Sequence, residues 1–313
     1  MMNLKEREAQ IDTLKAQLAE LDQTDPQMQN LQGNLLELIE GMKVEAYESL
    51  DAYDKVYLAR HHLRPNTKFY IDHLFDDFLE LHGDRMYADD GAIIGGVALF
   101  DGIPVTVIGH VKGTTVEENI KSNFAMPHPE GYRKAMRLAL QAEKFKRPII
   151  TFIDTPGAFP GIGAEERGQS EAIARCLMTF MGLKVPVIAV VIGEGGSGGA
   201  LAISAANYMI MLEHSVYSVL SPEGFASIVY KDASRAKEAA AIMKLTAADL
   251  LEFGVIDEII KEPFGGAHEA PDYLVPELKK SLCEQLAKLM KLEANEVAEQ
   301  RYEKFQRIGS FEL

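Results

Sequence analysis

The chain is poor in cysteine, in basic charge and in long apolar runs, and each shortage removes a class of protein from consideration. Its two cysteines, Cys176 and Cys283, lie far apart in the sequence and provide neither a disulfide framework nor the four thiolates of a structural zinc site. No metal is therefore expected in the chain, and a reducing, cytoplasmic setting fits. Lys and Arg number 32 against 47 Asp and Glu, a formal net charge of -15. A field of that sign repels polyanions, which argues against nucleic acid but leaves room for a local basic patch around one phosphorylated ligand. No stretch approaches the roughly 18 uninterrupted apolar residues of a membrane span, and Met1-Met2-Asn3-Leu4-Lys5-Glu6-Arg7-Glu8 has no apolar signal core. The expectation is a soluble protein that is neither exported nor bound to membrane. What is present, 313 residues of 47% hydrophobic content, suffices for one large core or two smaller ones.

In residues 4–23, Leu4, Ile11, Leu14, Leu18 and Leu21 are spaced by seven, three, four and three, a narrow apolar seam on a charged helix. Thr24-Asp25-Pro26 then offers a cap and a proline at the first helical position. Beyond it, Met28, Leu31, Leu35, Leu38 and Met42 repeat the three-four spacing. A helical hairpin follows, packed on the core or against another subunit. From about residue 90, residues 92–100 and 104–110 read as two strands joined at Asp101-Gly102, a hairpin signal. Apolar runs 148–153, 185–192 and 208–212 alternate with helical patterns 131–146 and 165–181, and 217–220 follows closely. Continuous apolar strands alternating with helices indicate parallel strands buried on both faces, an α/β fold. After residues 235–243, a short segment 253–260 and the Gly- and Pro-rich loop 262–271, one long amphipathic helix is expected over 275–305. The boundaries implied are a helical segment 1–65, a central domain 66–270 and a carboxyl-terminal helix 271–313. No repeat of fixed period and no low-complexity tract interrupts this order.

The densest chemical signal is Val190-Val191-Ile192-Gly193-Glu194-Gly195-Gly196-Ser197-Gly198-Gly199-Ala200-Leu201-Ala202, a buried strand running through five glycines into a helix. Glycine lets the backbone turn sharply and a ligand atom approach it, while the first helical N–H groups stay unpaired at the positive dipole end. Such a turn suits an anion or a developing oxyanion; the plainer alternative is tight packing of helix on sheet. Gly193, Gly195 and Gly198 also match G-x-G-x-x-G, with Glu213 ending a later strand, the fingerprint of an NAD-dependent oxidoreductase. The helix that follows is short for that role. Gly195 to Gly199 around Ser197 match G-x-S-x-G with His214 and His268 as downstream bases, a serine-hydrolase pattern without an evident orienting acid. Asp154-Thr155-Pro156-Gly157 suggests a GTPase switch, but no G-x-x-x-x-G-K-[ST] is present to hold phosphates. A second turn, Ile153 to Arg167, contains Gly157, Gly161 and Gly163 and also joins a buried strand to a helix. Two such turns on neighbouring parallel strands face one crevice at the strands' carboxyl ends.

Residues 150–174, 191–203 and 217–228, together with His82-Gly83-Asp84-Arg85, Asn123-Phe124-Ala125-Met126-Pro127 and Pro263-Phe264-Gly265-Gly266-Ala267-His268, resemble the carboxyltransferase alpha subunits of bacterial acetyl-CoA carboxylases. That family lies in the crotonase (ClpP-like) superfamily, and the similarity covers the chain to about residue 310. The resemblance implies a superhelix of β-β-α units and an alpha2beta2 assembly with a zinc-finger beta subunit. It implies transfer of a carboxyl group to acetyl-CoA, giving malonyl-CoA, from biotin held on a separate biotin carboxyl carrier protein and charged by biotin carboxylase. ATP binding and nucleotide binding are also expected of a subunit of such a carboxylase. The same resemblance assigns Gly198 and Gly199 as backbone oxyanion-hole donors on the biotin side, with Gly195, Gly196, Ser197, Gly161, Gly163 and Glu223 around the substrate. Other biotin-dependent acyl-CoA carboxyltransferases or decarboxylases are the nearest alternative. Arg85 and Arg167, set among acids, read more naturally as structural ion pairs than as ligand contacts. Glu194 and Ser197 could orient the turn, Glu223 could serve a helix N-terminus, and His110, His128, His214 and His268 show no metal spacing.

Overall fold

A computed structural model describes residues 4–21 and 26–309. Its centre is one eight-stranded sheet: β1 (Asp76–Glu80), β2 (Ile93–Phe100), β3 (Ile103–His110), β4 (Ile149–Thr155), β5 (Val187–Gly196), β6 (Tyr208–Leu212), β7 (Val216–Ser218) and β8 (Glu258–Ile260). Spatial order runs β1-β2-β3-β4-β5-β6-β8, with β7 paired to the far end of β5. β2 and β3 form the expected hairpin, Phe100 opposite Ile103. Asp101 and Gly102 between them have φ of 50° and 78°, the left-handed pair that matches the twist of hairpin strands. β3, β4, β5 and β6 run parallel, and every residue of β4 is buried, as sequences without alternation require. β5 carries two parallel neighbours at different heights, Ile188–Val191 against β6 and Glu194–Gly196 against β7. β6 and β7, each paired to β5, are followed by the helix Pro222–Val229, a β-β-α order of the expected kind.

Helices cover both faces. On one, Pro129–Lys144, Gln169–Gly182 and Ser197–Ser204 bury Tyr132, Leu138, Cys176, Phe180 and Ile203 against Ile149, Ile153, Ala189 and Val191. On the other, Thr67–Leu74 and Pro271–Leu289 bury Tyr70, Leu278 and Leu282 against Phe152, Ile188 and Ile210. Each fully buried large side chain there contributes about 1.5–3 kcal/mol of transfer free energy.

Several sequence expectations change in detail. The long carboxyl-terminal helix is two, Pro271–Leu289 and Ala294–Arg307, because Glu293 and Glu296 form a capping box that restarts the helix. The helix expected over 165–181 is broken at Gly168, whose φ of 83° no helix tolerates. β1 went unread because its residues, Asp76-Asp77-Phe78-Leu79-Glu80, are mostly exposed and acidic on a sheet edge. The first helix, Leu4–Glu20, buries its seam through Leu4 and Ile11, with Leu14 and Leu18 half-buried. The second, Pro26–Tyr47, instead buries Ile39 and Ala46 and leaves Leu31 and Leu38 exposed, so its apolar face is rotated from the one the spacing suggested. The Thr24-Asp25 cap lies outside the described residues, as does the side chain of Met28.

The loop over residues 82–90 shows how a charged segment is held. Asp84 Oδ1 accepts the N–H groups of Met86, Tyr87 and Ala88. Asp89 accepts from Lys134 Nζ at 2.6 Å and from Gly83 N–H at 2.8 Å. Burial opposes ionisation of Asp89, but Lys134, the Gly83 amide and His82 outweigh it and hold its carboxyl at about 2. A depressed carboxyl stabilises the fold above its unfolded value near 3.8, and that contribution is lost as pH falls toward about 2. Asp89→Asn is expected to lower stability by roughly 1 kcal/mol at neutral pH, solvent screening included. The gap to the parent in urea midpoint should shrink from pH 4 downward, and a gap independent of pH would show that the charge is not the cause.

Candidate active site

The two glycine-rich turns leave the carboxyl ends of adjacent strands. β4 and β5 are parallel neighbours, in register from Ile149 opposite Val187 to Ile153 opposite Val191, and the register shifts before Thr155 meets Gly195. Below the first turn, the Thr155 hydroxyl accepts the Gly157 N–H at 3.0 Å and donates to the Ala125 carbonyl at 2.5 Å. Gly157 itself has φ of 149°. The second turn enters the helix Ser197–Ser204 through Gly196, which as N-cap has no side chain to satisfy the first helical amides. Ser197 is exposed and left-handed, φ of 54°, a strain of about 1–3 kcal/mol for a residue bearing a Cβ. Gly198 is half-buried and Gly199 buried. The donors of this helix start are thus reachable at its exposed rim and bear the positive end of the helix dipole.

The glycines divide sharply by what a side chain would meet. At Gly193 a Cβ would lie 2.4 Å from Asp154 Oδ1, at Gly195 2.2 Å from Tyr217, at Gly196 2.2 Å from the Pro156 carbonyl and at Gly199 2.7 Å from Ala158 N. Only at Gly198 is the contact ordinary, 3.4 Å from Ile173. Four of the five glycines therefore serve close packing of strand, turn and helix, the plainer of the two roles open from sequence. Gly193 and Gly195 are closed off by Asp154 and Tyr217, so they cannot admit a pyrophosphate, and the helix beyond has only 8 residues. This overturns the dinucleotide reading, and Glu213, its ribose partner, is taken up by Lys261 and the Glu262 N–H. The hydrolase reading fails as well. His214 lies against Glu262, His268 stacks on His61 at 3.7 Å, and neither ring contacts Ser197 among the described residues.

A charged network frames the turn. Asp154 Oδ1 accepts the Glu194 N–H at 3.0 Å and faces Lys112 Nζ at 3.3 Å, which also lies 3.6 Å from Glu194. Arg60, at the end of the helix Ala52–Ala59, donates from Nε to Glu194 at 2.7 Å and from its terminal nitrogens to Glu223 at 2.8 and 3.3 Å. Burial works against the Arg60 charge, but Glu194 and Glu223 more than restore it. For Glu223, burial likewise opposes ionisation and the Arg60 pairing prevails, holding its carboxyl low. Lys112 is pushed up, the attraction of Asp154 and Glu194 exceeding its burial penalty. Glu223 thus sits in the first turn of Pro222–Val229, capped by Ser221, and ties that helix to the glycine turn through Arg60. A small crevice lined by Val56, Arg60, Gly196, Ser218, Ser221 and Leu245 opens there.

The other sequence candidates are placed elsewhere. Gly161 and Gly163 start the short helix Ile162–Glu166, and their near neighbours are Phe159 and Arg167, not the glycines of the second turn. Arg167 pairs with Glu130 at 2.6 Å and covers Tyr87, a structural ion pair as expected. Arg85 donates to the His82 carbonyl. No sequence signal marks Arg60 or Lys112, since each is an ordinary cation in its own segment, and only the fold brings them to Glu194. Asp154, which in sequence suggests a GTPase switch, instead braces the glycine turn through the Glu194 N–H. Among the described residues no cluster of His, Cys, Asp or Glu could hold a metal ion, and no helix is long and apolar enough to cross a membrane. With every side-chain charge at the turn paired, the groups left to meet a ligand are backbone amides, which can stabilise an oxyanion without a side-chain base.

Solved structures share this fold. The chain superimposes on transcarboxylase 12S, crystallised with methylmalonyl-coenzyme A and methylmalonic acid bound, with TM-score 0.58 at 19% identity, over 72% of this chain and 42% of that one. A Pseudomonas malonate decarboxylase hetero-tetramer in complex with coenzyme A gives TM-score 0.57 at 19% identity, over 70% and 87%. The fold is that of the crotonase-like carboxyltransferases. More specific are the sequence matches. The family model for acetyl co-enzyme A carboxylase carboxyltransferase-like proteins matches residues 3–309. Acetyl-coenzyme A carboxylase carboxyl transferase subunits alpha from Clostridium perfringens and Desulfitobacterium hafniense are 60% and 55% identical, over 85% and 92% of this chain and 98% and 89% of theirs. The chain belongs to the family of acetyl-CoA carboxylase carboxyltransferase alpha subunits.

Proposed function

We propose that the chain is the alpha half of a cytoplasmic acetyl-CoA carboxyltransferase that passes a carboxyl group from carboxybiotin to acetyl-CoA, releasing biotin and malonyl-CoA for fatty acid synthesis. The observation that carries this reading is the uncapped helix start at Ser197–Gly199 on the end of a buried strand, in a chain whose family match spans residues 3–309. Carboxybiotin, on a separate carrier protein, supplies an activated carboxyl group. The cradle suits the ureido oxygen of biotin, on which negative charge develops as the carboxyl group leaves: its donors are amides, its rim is half-open at Gly198, and the carboxylates around it are each held by Arg60 or Lys112. Gly198 and Gly199 N–H groups hold that oxygen, each donor worth about 3 kcal/mol or roughly a hundredfold in rate. Gly195 and Gly196 allow the strand to reach the turn, Ser197 holds the strained corner, and Glu223 with Arg60 braces the cleft wall. Gly161 and Gly163 shape the outer lip. One oxyanion cradle serves one of the two partners in transfer, so the second belongs to the beta subunit in an alpha2beta2 assembly, together with the zinc finger and most contacts to coenzyme A. ATP use falls to the biotin carboxylase partner, since this chain has no phosphate-binding loop of the G-x-x-x-x-G-K-[ST] kind.

The test is malonyl-CoA-dependent carboxylation of free biotin, the reverse reaction, by this chain alone, by a beta subunit alone and by the two mixed. Turnover only in the mixture is expected. Turnover by this chain alone would overturn the divided site, and a stable but inactive complex would overturn the assignment.

A further inference from the structure

Buried polar atoms without a hydrogen-bond partner are rare in folded proteins, and each needs a reason. Two such atoms among the described residues, His110 Nε2 and Tyr132 Oη, belong to side chains that stand against the same glycine. His110 closes β3 and is 0% exposed. Its Nδ1 accepts the Asp154 N–H at 3.4 Å, which leaves the proton of the neutral ring on Nε2. Burial lowers the ring's pKa to about 4, so it is neutral at physiological pH, and backbone groups of Gly199 and Phe152 partly oppose that shift. A backbone group that favours a protonated imidazole is an acceptor, so the ring faces the carbonyls of Gly199 and Phe152, while Nε2 makes no hydrogen bond of normal geometry. Tyr132 arrives from a different element, the helix Pro129–Lys144, and is also 0% exposed. Its hydroxyl lies 3.0 Å from the point where a Cβ on Gly199 would sit.

An orphaned polar group costs about 1–3 kcal/mol, and phenylalanine would fill the space of Tyr132 without that cost. Two such costs converging on one glycine that packs against the other turn point to use rather than packing. We propose that His110 and Tyr132 are positioning residues of the glycine turn, a polar underside to Gly199 that sets where the Gly198 and Gly199 amides point. His110 does so from two sides, holding the base of the first turn through Asp154 and facing the second at Gly199. The activity part of this inference rests on the carboxyl-transfer reading; the geometric part does not.

Tyr132→Phe and His110→Gln, made in the full chain, separate the possibilities; Gln reaches the Nε2 position but surrenders the Nδ1 bond, and His110→Asn does the reverse. For Tyr132→Phe the melting temperature is expected to stay level or rise, while kcat of the alpha–beta complex falls about tenfold with KM within a factor of two. Amide hydrogen exchange at Gly198 and Gly199, measured on the chain without substrate, should quicken in Tyr132→Phe and in both His110 variants. A purely structural tyrosine would lose stability and leave kcat intact, and that outcome overturns the inference. Unchanged exchange and unchanged kcat in all three variants overturn it too, as does failure of all three to fold. If the parent complex shows no carboxyl transfer yet the exchange effect appears, the functional reading has failed and the positioning role stands.

Discussion

Gly198→Val is expected to reduce carboxyl transfer about a hundredfold while the chain folds and assembles normally, whereas Gly199→Ala should damage the fold itself. The distinction comes from sterics. A Cβ on Gly198 meets only Ile173, at 3.4 Å, and that side chain can move. Valine there stands beside the half-open amides and obstructs an oxygen approaching them. On Gly199 even a methyl group would lie 2.7 Å from Ala158 N and from the Gly157 carbonyl carbon, backbone atoms of the other turn. Separating them forces β4 and β5 apart at their ends and costs about 2–3 kcal/mol or more. From sequence alone, a bulky residue at Gly199 looks like the natural way to block the cradle without unfolding; the structure moves that experiment to Gly198. The pair is read by melting temperature and by kcat of the alpha–beta mixture. Wild-type turnover in Gly198→Val would remove these amides from the reaction, and a stable, well-folded Gly199→Ala would refute the packing role.

The largest stability effect is expected at Arg301. This side chain is 0% exposed and forms no ion pair with a carboxylate among the described residues; its terminal nitrogens donate to the carbonyls of Phe180, Leu183 and Val185 at 2.8, 2.7 and 2.9 Å and to Asn207 Oδ1 at 2.5 Å. Those acceptors end the helix Gln169–Gly182 and lead into β5 and β6, so one guanidinium fastens the last helix to the strand that carries the glycine turn. Burial lowers its pKa to about 10, a sign that the charge is held at a cost. Arg301→Met relieves that cost but strands several buried acceptors, and removing one partner of a buried set outweighs the relief. The net loss should be roughly 3–5 kcal/mol, or about 10 °C in melting temperature. Arg301→Lys should recover less than half, because a single ammonium cannot span a fork of four acceptors. Urea and thermal denaturation measure it; a loss under about 1 kcal/mol for Met would mean that solvent or backbone shifts satisfy those carbonyls.

Much of the fold is readable along the chain because its rules are local. Residues 148–153 and 185–192 are continuously apolar since both faces of β4 and β5 are covered, and Asp101-Gly102 takes the one turn that its pair favours. β1 is silent by the same logic: an exposed acidic edge strand has neither alternation nor apolar run, and only pairing with β2 makes it a strand. The break at Gly168 and the restart at Glu293 were present as a glycine and as acids three apart, signals that a periodic apolar pattern overrode. For the second helix, Met42 packs with Ile39 and Ala46, while Leu31 and Leu38, at equally helical spacing, fall on the face that stays outside. Periodicity identifies a helix, but when apolar residues exceed one stripe it does not choose the buried side.

The site divides along the same line. By itself the sequence determined a strand–glycine–helix turn with unpaired amides, a second turn on the next strand, and the family to which both belong. These are matters of backbone conformation and short-range order, which neighbouring residues dictate. Only the tertiary structure decided that Gly199 is packed against the other turn while Gly198 is open, that Arg60 and Lys112 pair with Glu194, Glu223 and Asp154, and that His110 and Tyr132 meet beneath one glycine. Each of those facts is a distance between residues remote in the chain, and such distances exist only once the strands have been laid side by side.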